Sequence, residues 1–214
     1  MLARWAARAH FAMADFIPPT EEELVLRTDR LLLRPPRADD APLLFEHCAD
    51  PRIPRFMTWA PHRDPGETKT FLESCVAARM KAAGYTWCVF EGGRFLGFLG
   101  IEGIVRRMLA VRYDRAELGY WVVIDHHRRG LMTEAAGAAV AFSFARLGLH
   151  KVIVRAWTEN LASLRVIEKL GFTQVGLARR EVLREGTWHD LLVFEMLADD
   201  PAALRLQSGL RRAR

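Results

Sequence analysis

The segment His126-His127-Arg128-Arg129-Gly130-Leu131-Met132-Thr133 holds the residue types that point most directly to chemistry. It lies between an apolar run ending at Val123 and a helical pattern that begins near Leu131. The first amides of a helix have no acceptor within the helix, and the macrodipole adds roughly half a positive charge, so a phosphate placed there meets several donors at once. Gly130 permits close backbone approach, and Arg128 and Arg129 add charge that can pair with phosphate oxygens. Taken alone, a glycine and two arginines in such a turn more often form a solvated loop, so the neighbouring elements have to decide.

Those elements alternate in type. Leu31-Leu32-Leu33-Arg34 predicts a strand ended by Pro35-Pro36, and Asp39-Asp40 supplies an N-cap for a helix reaching Cys48. Pro51, Pro54 and Pro61 mark a loop before a second helix that begins at Pro65-Gly66-Glu67 and ends near Gly84. Tyr85–Phe90 and Phe95–Ile101 flank Gly92-Gly93, which provides the positive φ that tight hairpins need. A strand over Ala116–Val123, a helix over Leu131–Leu147, a β-branched strand over Lys151–Ala156 and a helix from Leu161 to Leu170 follow, with Gly171 as the C-cap. Gln174–Arg184 and Trp188–Met196 form a last pair about Glu185-Gly186. The sum is an α/β chain in which a strand–helix–strand–helix unit sits between hairpins.

Composition sets the outer limits. The 214 residues are half hydrophobic and about a quarter charged, as expected of one globular domain. We expect that domain over residues 21–199, with an N-terminal extension at 1–20 and a basic C-terminal tail at 200–214. No run approaches the ~20 apolar residues of a membrane span, and Arg4 and Arg8 interrupt the N-terminal apolar residues, against a signal peptide. Cys48, Cys75 and Cys88 lack the spacing of a disulfide framework or zinc site, which fits a reducing cytoplasm and no metal. The net charge of +5 is spread along the chain, with clusters at Arg128-Arg129, Arg179-Arg180 and Arg211-Arg212-Arg214. That spread argues against a nucleic-acid partner and suits a small anionic ligand.

Four pieces occur in order: Glu117-Leu118-Gly119-Tyr120-Trp121-Val122-Val123, Arg129-Gly130-Leu131-Met132-Thr133-Glu134-Ala135, Asn160-Leu161-Ala162-Ser163 and Lys169-Leu170-Gly171-Phe172. On them the chain resembles the GNAT superfamily of N-acetyltransferases, in its RimJ/RimL-like branch, over roughly Leu26 to Met196. The resemblance implies a curved, mostly antiparallel sheet of six or seven strands with about four flanking helices. Its central parallel pair, Glu117–Val123 and Lys151–Ala156, would splay to admit the pantetheine arm of acetyl-CoA. The family's phosphate turn, (Gln/Arg)-x-x-Gly-x-(Gly/Ala), maps onto His127 to Met132. His127 and Met132 depart from it, so backbone amides from about Arg128 to Thr133 must hold the pyrophosphate, with Leu131 and the Thr133 hydroxyl in the same turn. Trp121, Val122 and Val123 would line the coenzyme, and an amide near Val123 would hold the oxyanion.

Acetyl transfer from a thioester needs a neutral amine, a stabilised oxyanion and a proton for the departing sulfur. An α-amine of pKa ~8 is substantially neutral near pH 7.5, whereas a lysine at ~10.4 costs some 4 kcal/mol to deprotonate. The resemblance places Ser163 near the coenzyme sulfur as proton donor; a hydroxyl three residues after Asn160 also suits plain capping. The tyrosine that many relatives use stands here as Ile167. Glu67 is the family's candidate base, although the helix dipole favours an acid there regardless. Glu117 is the alternative, since a carboxylate on a central strand needs a partner or a task. Asn160 would contact the coenzyme, and Asp190 matches a frequent family position. Trp59, Trp87, Trp157 and Trp188 are candidates for an acceptor pocket or for packing. The implied activity is direct transfer to a protein N-terminus, such as a ribosomal protein's, or to a small amine, and a homodimer is left open. Alternatives are an acetyl-CoA-binding sensor without catalysis, and a ribosome- or RNA-associated module using the basic tail.

Overall fold

The computed structural model describes residues 16–212; residues 1–15 of the expected extension and the last two of the expected tail lie outside the described residues. Eight strands form one sheet: β1 (Leu26–Arg27), β2 (Leu32–Arg34), β3 (Tyr85–Glu91), β4 (Arg94–Met108), β5 (Val111–Val122), β6 (Lys151–Trp157), β7 (Thr173–Arg184) and β8 (Thr187–Leu197). Their order is β1-β2-β3-β4-β5-β6-β8-β7, and every neighbouring pair is antiparallel except β5–β6. Among the described residues five α-helices accompany them: α1 (Ala41–Cys48), α2 (Pro65–Met80), α3 (Leu131–Ala145), α4 (Leu161–Leu170) and α5 (Pro201–Arg212).

The fold class is the expected one, with one more helix and at least one more strand. The two-residue β1 is too short to show a period. Strands β4 and β5 run on past the expected hairpin, to Met108 and from Val111. The stretch expected as a basic tail forms α5, which lies on α3 with Ala202 and Ala203 buried. Gly137 of α3 makes that contact possible: a Cβ there would stand 3.2 Å from Leu206 Cδ2 and 3.4 Å from Leu170 Cδ2. Asp40 does precede α1 as expected, but it makes no side-chain cap. Its carboxylate accepts from Arg34 at 2.7 and 2.6 Å and from the Arg37 amide at 2.7 Å.

Strand alternation divides the core in two. Ala116, Leu118 and, partly, Tyr120 and Val122 of β5 join the cluster under α3, α4 and α5; Trp121 joins Phe95, Phe98, Leu44 and Leu72 under α1 and α2. Helix α3 is buried on nearly every side between sheet and α5, so its sequence reads as a continuous apolar run rather than a stripe. The parallel ladder joins Arg115 to Lys151, Ala116 to Val152 and Glu117 to Ile153, and stops there. Beyond it β5 stays paired with β4 as far as Val122, and β6 with β8 as far as Trp157. The central strands therefore part within the expected stretch, while each remains anchored on its outer side.

Candidate active site

The parting exposes backbone groups in mid-sheet. The Val123 amide donates to the Leu96 carbonyl of β4 at 2.9 Å. Because a strand's polar groups alternate sides, those of Tyr120 and Val122 face the gap instead. Of the amides near Val123, the one that faces the gap is thus that of Val122. His127 closes one end of this edge: its Nε2 lies 3.2 Å from the Val122 carbonyl, so the imidazole turns back to the strand.

The turn after β5 leads into α3 through two left-handed residues, Arg128 at φ 62° and Gly130 at φ 74°. Gly130 is the N-cap and brings no side-chain acceptor, and the first helical bond is Glu134 N–H to the Gly130 carbonyl. The amides of Leu131, Met132 and Thr133 therefore have no acceptor within the helix. The side chains of Leu131 and Met132 are buried in the core, leaving only their backbone to face a ligand. Arg129 is turned away, donating to Glu91 Oε2 at 2.7 Å. Arg30 stands beside the turn instead. Its guanidinium donates to the Arg129 carbonyl at 3.3 Å and pairs with Glu134 at 2.6 Å, which also accepts from Thr28. A groove of about 530 Å³ runs from this turn along α3, lined by Thr28, Gly130, Thr133, Lys169 and Arg205 among others.

Across the gap, α4 begins at Asn160, whose Oδ1 accepts from the Ser163 amide at 3.2 Å. Asn160 is the cap, and the Ser163 hydroxyl is free of that duty. It meets the Tyr120 hydroxyl at 2.9 Å. Ile167, one turn along, is fully buried in the core.

The opposite face of the sheet carries the carboxylates. Glu117 and Glu102 sit directly across from one another on β5 and β4, Gly119 opposite Gly100, and Trp121 opposite Phe98. The two glycines leave bare backbone between an aromatic pair and an acidic pair. The Glu102 carboxylate folds back over Gly100, where a Cβ would stand 2.8 Å from its Oε1. Glu117 accepts from Arg155 at 2.7 Å. Partial desolvation raises the pKa of the half-exposed Glu117 against the pull of Arg155; Glu102, itself exposed, is raised by desolvation of its carboxylate together with the Glu117 charge. Either carboxylate can take a proton at a higher pH than a free one.

Glu67 is not part of this group. It lies in the first turn of α2, where its carboxylate accepts from the Arg63 amide and guanidinium at 2.9 and 2.7 Å. Those bonds lower its pKa, the backbone one most. Between it and the sheet stand His62 and Trp59, the latter edge-on to Trp121 at 6.4 Å. Trp59 and Trp157, which packs on Phe56, belong to the acidic face; Trp87 is in the core under α3 and Trp188 is largely exposed. Asp190 accepts from the Arg180 amide at 2.7 Å within the β7 bulge. Sequence reasoning missed Arg30, Glu102 and Tyr120. Tyr120 stood in the quoted strand motif, whereas Arg30 and Glu102 meet their partners only through tertiary contacts and carry no local signal.

A slot between parted parallel strands, with bare helix amides at one end and carboxylates on the far face, defines an N-acetyltransferase. Residues 30–173 match the acetyltransferase (GNAT) domain. The chain belongs to the GNAT family of acetyltransferases. The uncharacterized N-acetyltransferase YoaA of Bacillus subtilis (strain 168) is 26% identical over 175 residues, which span 81% of this chain and 96% of that protein. The ribosomal protein uS5-alanine N-acetyltransferase of Escherichia coli (strain K12) is 25% identical over 183 residues, 82% of this chain and 91% of the relative. In fold, the chain resembles RimL, a ribosomal L7/L12 alpha-N-protein acetyltransferase solved with coenzyme A, with a TM-score of 0.73 at 18% identity over 81% of this chain and 97% of that one.

Proposed function

We propose that this N-acetyltransferase takes its acetyl group from acetyl-CoA and passes it directly to a primary amine, either a protein N-terminus such as a ribosomal protein's or a small amine. One observation carries the reading. The slot opened beyond Glu117 and Ile153 has the uncapped start of α3 at one end and the Glu117–Glu102 pair on the far face. A phosphate-bearing thioester and an amine can then approach the same gap from opposite sides. The uS5-alanine acetyltransferase relative supports a protein N-terminus as acceptor.

In this reading the amides of Leu131 to Thr133 hold the pyrophosphate with Arg30 beside them, and the Val122 amide faces the developing oxyanion. Glu117 receives the amine proton, and the Ser163 hydroxyl donates to the departing sulfur. Asn160 orients that serine by fixing its amide. Arg128 adds exposed charge at the phosphate end.

The test is an acceptor screen with purified protein and acetyl-CoA, reading thiol release over peptides with free N-termini, N-blocked lysine peptides and small amines. Release with at least one class is expected; none, with coenzyme still bound, overturns the acceptor assignment. Gly130→Trp puts a bulky side chain at the N-cap, over the amides of Leu131 to Thr133, and calorimetry should show at least ~100-fold weaker coenzyme binding, as expected when several backbone donors are lost together. Unchanged affinity in a folded Gly130→Trp protein refutes the phosphate site.

A further inference from the structure

Position 167 has no proton to give, because Ile167 is apolar and fully buried, but a phenol from another element meets the first turn of α4 at Ser163. Tyr120 lies on β5 in the parted stretch, three residues past the last pair with β6. Its hydroxyl crosses the gap to α4 and stands 2.9 Å from Ser163 Oγ and 3.3 Å from the Ser163 carbonyl. The contact spans 43 residues of sequence and bridges β5, which borders the slot, to α4, which follows β6. The Ser163 amide is already held by Asn160, so the serine side chain has no capping task to compete with this bond.

We propose that Tyr120 is a positioning residue for proton delivery: its O–H donates to Ser163 Oγ and so turns the serine's own proton toward the departing sulfur. The inference rests on Ser163 being the donor. A hydroxyl has one proton to give. With its oxygen occupied as acceptor from the phenol, Ser163 is left facing the slot as a donor. The carbon–sulfur bond breaks with its electron pair on sulfur, the serine O–H gives its proton to that pair, and the amine proton, passed through Glu117 and solvent, restores the serine. Amide and thiol form with no net proton taken up, and Tyr120 keeps its own proton throughout. Burial supports this last point, pushing the phenol up to about 12 even though the bond to Ser163 pulls the other way.

A double-mutant cycle tests the pair, with coenzyme affinity by calorimetry as the check that each variant is folded. Tyr120→Phe keeps the ring and removes the donor. It should lower kcat about tenfold, the scale of one lost hydrogen bond, with KM and coenzyme affinity held within about twofold. Ser163→Ala should lower kcat further, and adding Tyr120→Phe to it should change nothing more. Ser163→Thr retains a hydroxyl and should retain the dependence on Tyr120. Equal losses from Tyr120→Phe in both backgrounds, or a raised KM with unchanged kcat, would make the phenol a packing group and overturn the proposal. A slow Ser163→Ala beside a wild-type Tyr120→Phe overturns the role of Tyr120 alone; a wild-type Ser163→Ala overturns the donor reading beneath it as well. Should Tyr120→Phe fail to bind coenzyme, fluorotyrosine at position 120 alters the bond without removing the ring, and an unchanged kcat would equally refute the proposal.

Discussion

Helices α2 and α3 both begin with a glycine within a residue or two of the N-cap, yet they treat their first amides in opposite ways. At α2 the chain provides its own anions: Asp64 Oδ1 accepts from the amides of Gly66 and Glu67, and Glu67 sits in the same turn beside Arg63. At α3 the cap is Gly130 in the left-handed region, with no side-chain acceptor, and the nearby acid Glu134 is engaged by Arg30 and Thr28. Helix α4 follows α2, since Asn160 caps it. A helix start is a place for an external anion only where the chain declines to fill it. The same contrast separates the two candidate bases. Glu67 is stabilised as an anion by its helix start and by Arg63, whereas Glu117 is raised by partial desolvation on the strand.

The largest effect expected from breaking that comparison is on the bases. Glu117→Gln should lower kcat/KM about 100-fold, the usual scale for a lost general base, and Glu67→Gln by no more than about twofold. The loss at position 117 should be greater for a lysine acceptor than for an α-amine, because the more basic amine depends more on help in shedding its proton. With the Glu117 pKa raised, activity that requires its carboxylate falls as pH drops through that raised value, above the ordinary glutamate range, and the Gln variant lacks this limb. Rate–pH profiles with both acceptors decide it; equal losses from the two variants would return Glu67 to the chemistry.

Next is a conversion of one helix start into the other. Gly130→Asp gives α3 an anion like that of α2, in a conformation that Asp tolerates, and should weaken coenzyme binding about tenfold while sparing the fold. Stronger binding in calorimetry would show that the phosphate lies elsewhere. The smallest effect is at α2: Asp64→Ala should cost about 1 kcal/mol in denaturant unfolding and leave coenzyme affinity unchanged. A matching loss of affinity would mean that the two helix starts are coupled.

Much of the fold was readable from local signals. The Gly92-Gly93 turn, the C-cap at Gly171 and the Asn160 helix start are short-range features, and each stands where the residues predict. Helix α5 was not: Ala202, Ala203, Leu206 and Leu210 fall at helical spacing, but the arginines among them read as a basic tail, and the surface this stripe packs on, at Gly137 of α3, is fixed only by the tertiary contact. At the site, Gly130, Ser163 and Glu117 were visible as residue types, but their division of labour was not. Arg129 and Arg30 are told apart by their partners: Glu91 holds Arg129 away from the turn, whereas Arg30 meets Glu134 and the Arg129 carbonyl beside it.

Apart from β1 and α5, the sequence by itself determined the element order, along with the glycine turn before α3 and the presence of a serine and carboxylates near it. These depend on propensities, caps and periods acting over a few residues. Only the tertiary structure decided that the β5–β6 ladder stops at Glu117, that Glu102 faces Glu117, that Arg30 replaces Arg129 beside Gly130, and that Tyr120 meets Ser163. Each of these is a contact between segments far apart in sequence, so no local pattern encodes it. It exists because a β-strand sends alternate residues to opposite faces and neighbouring strands fix which of them meet.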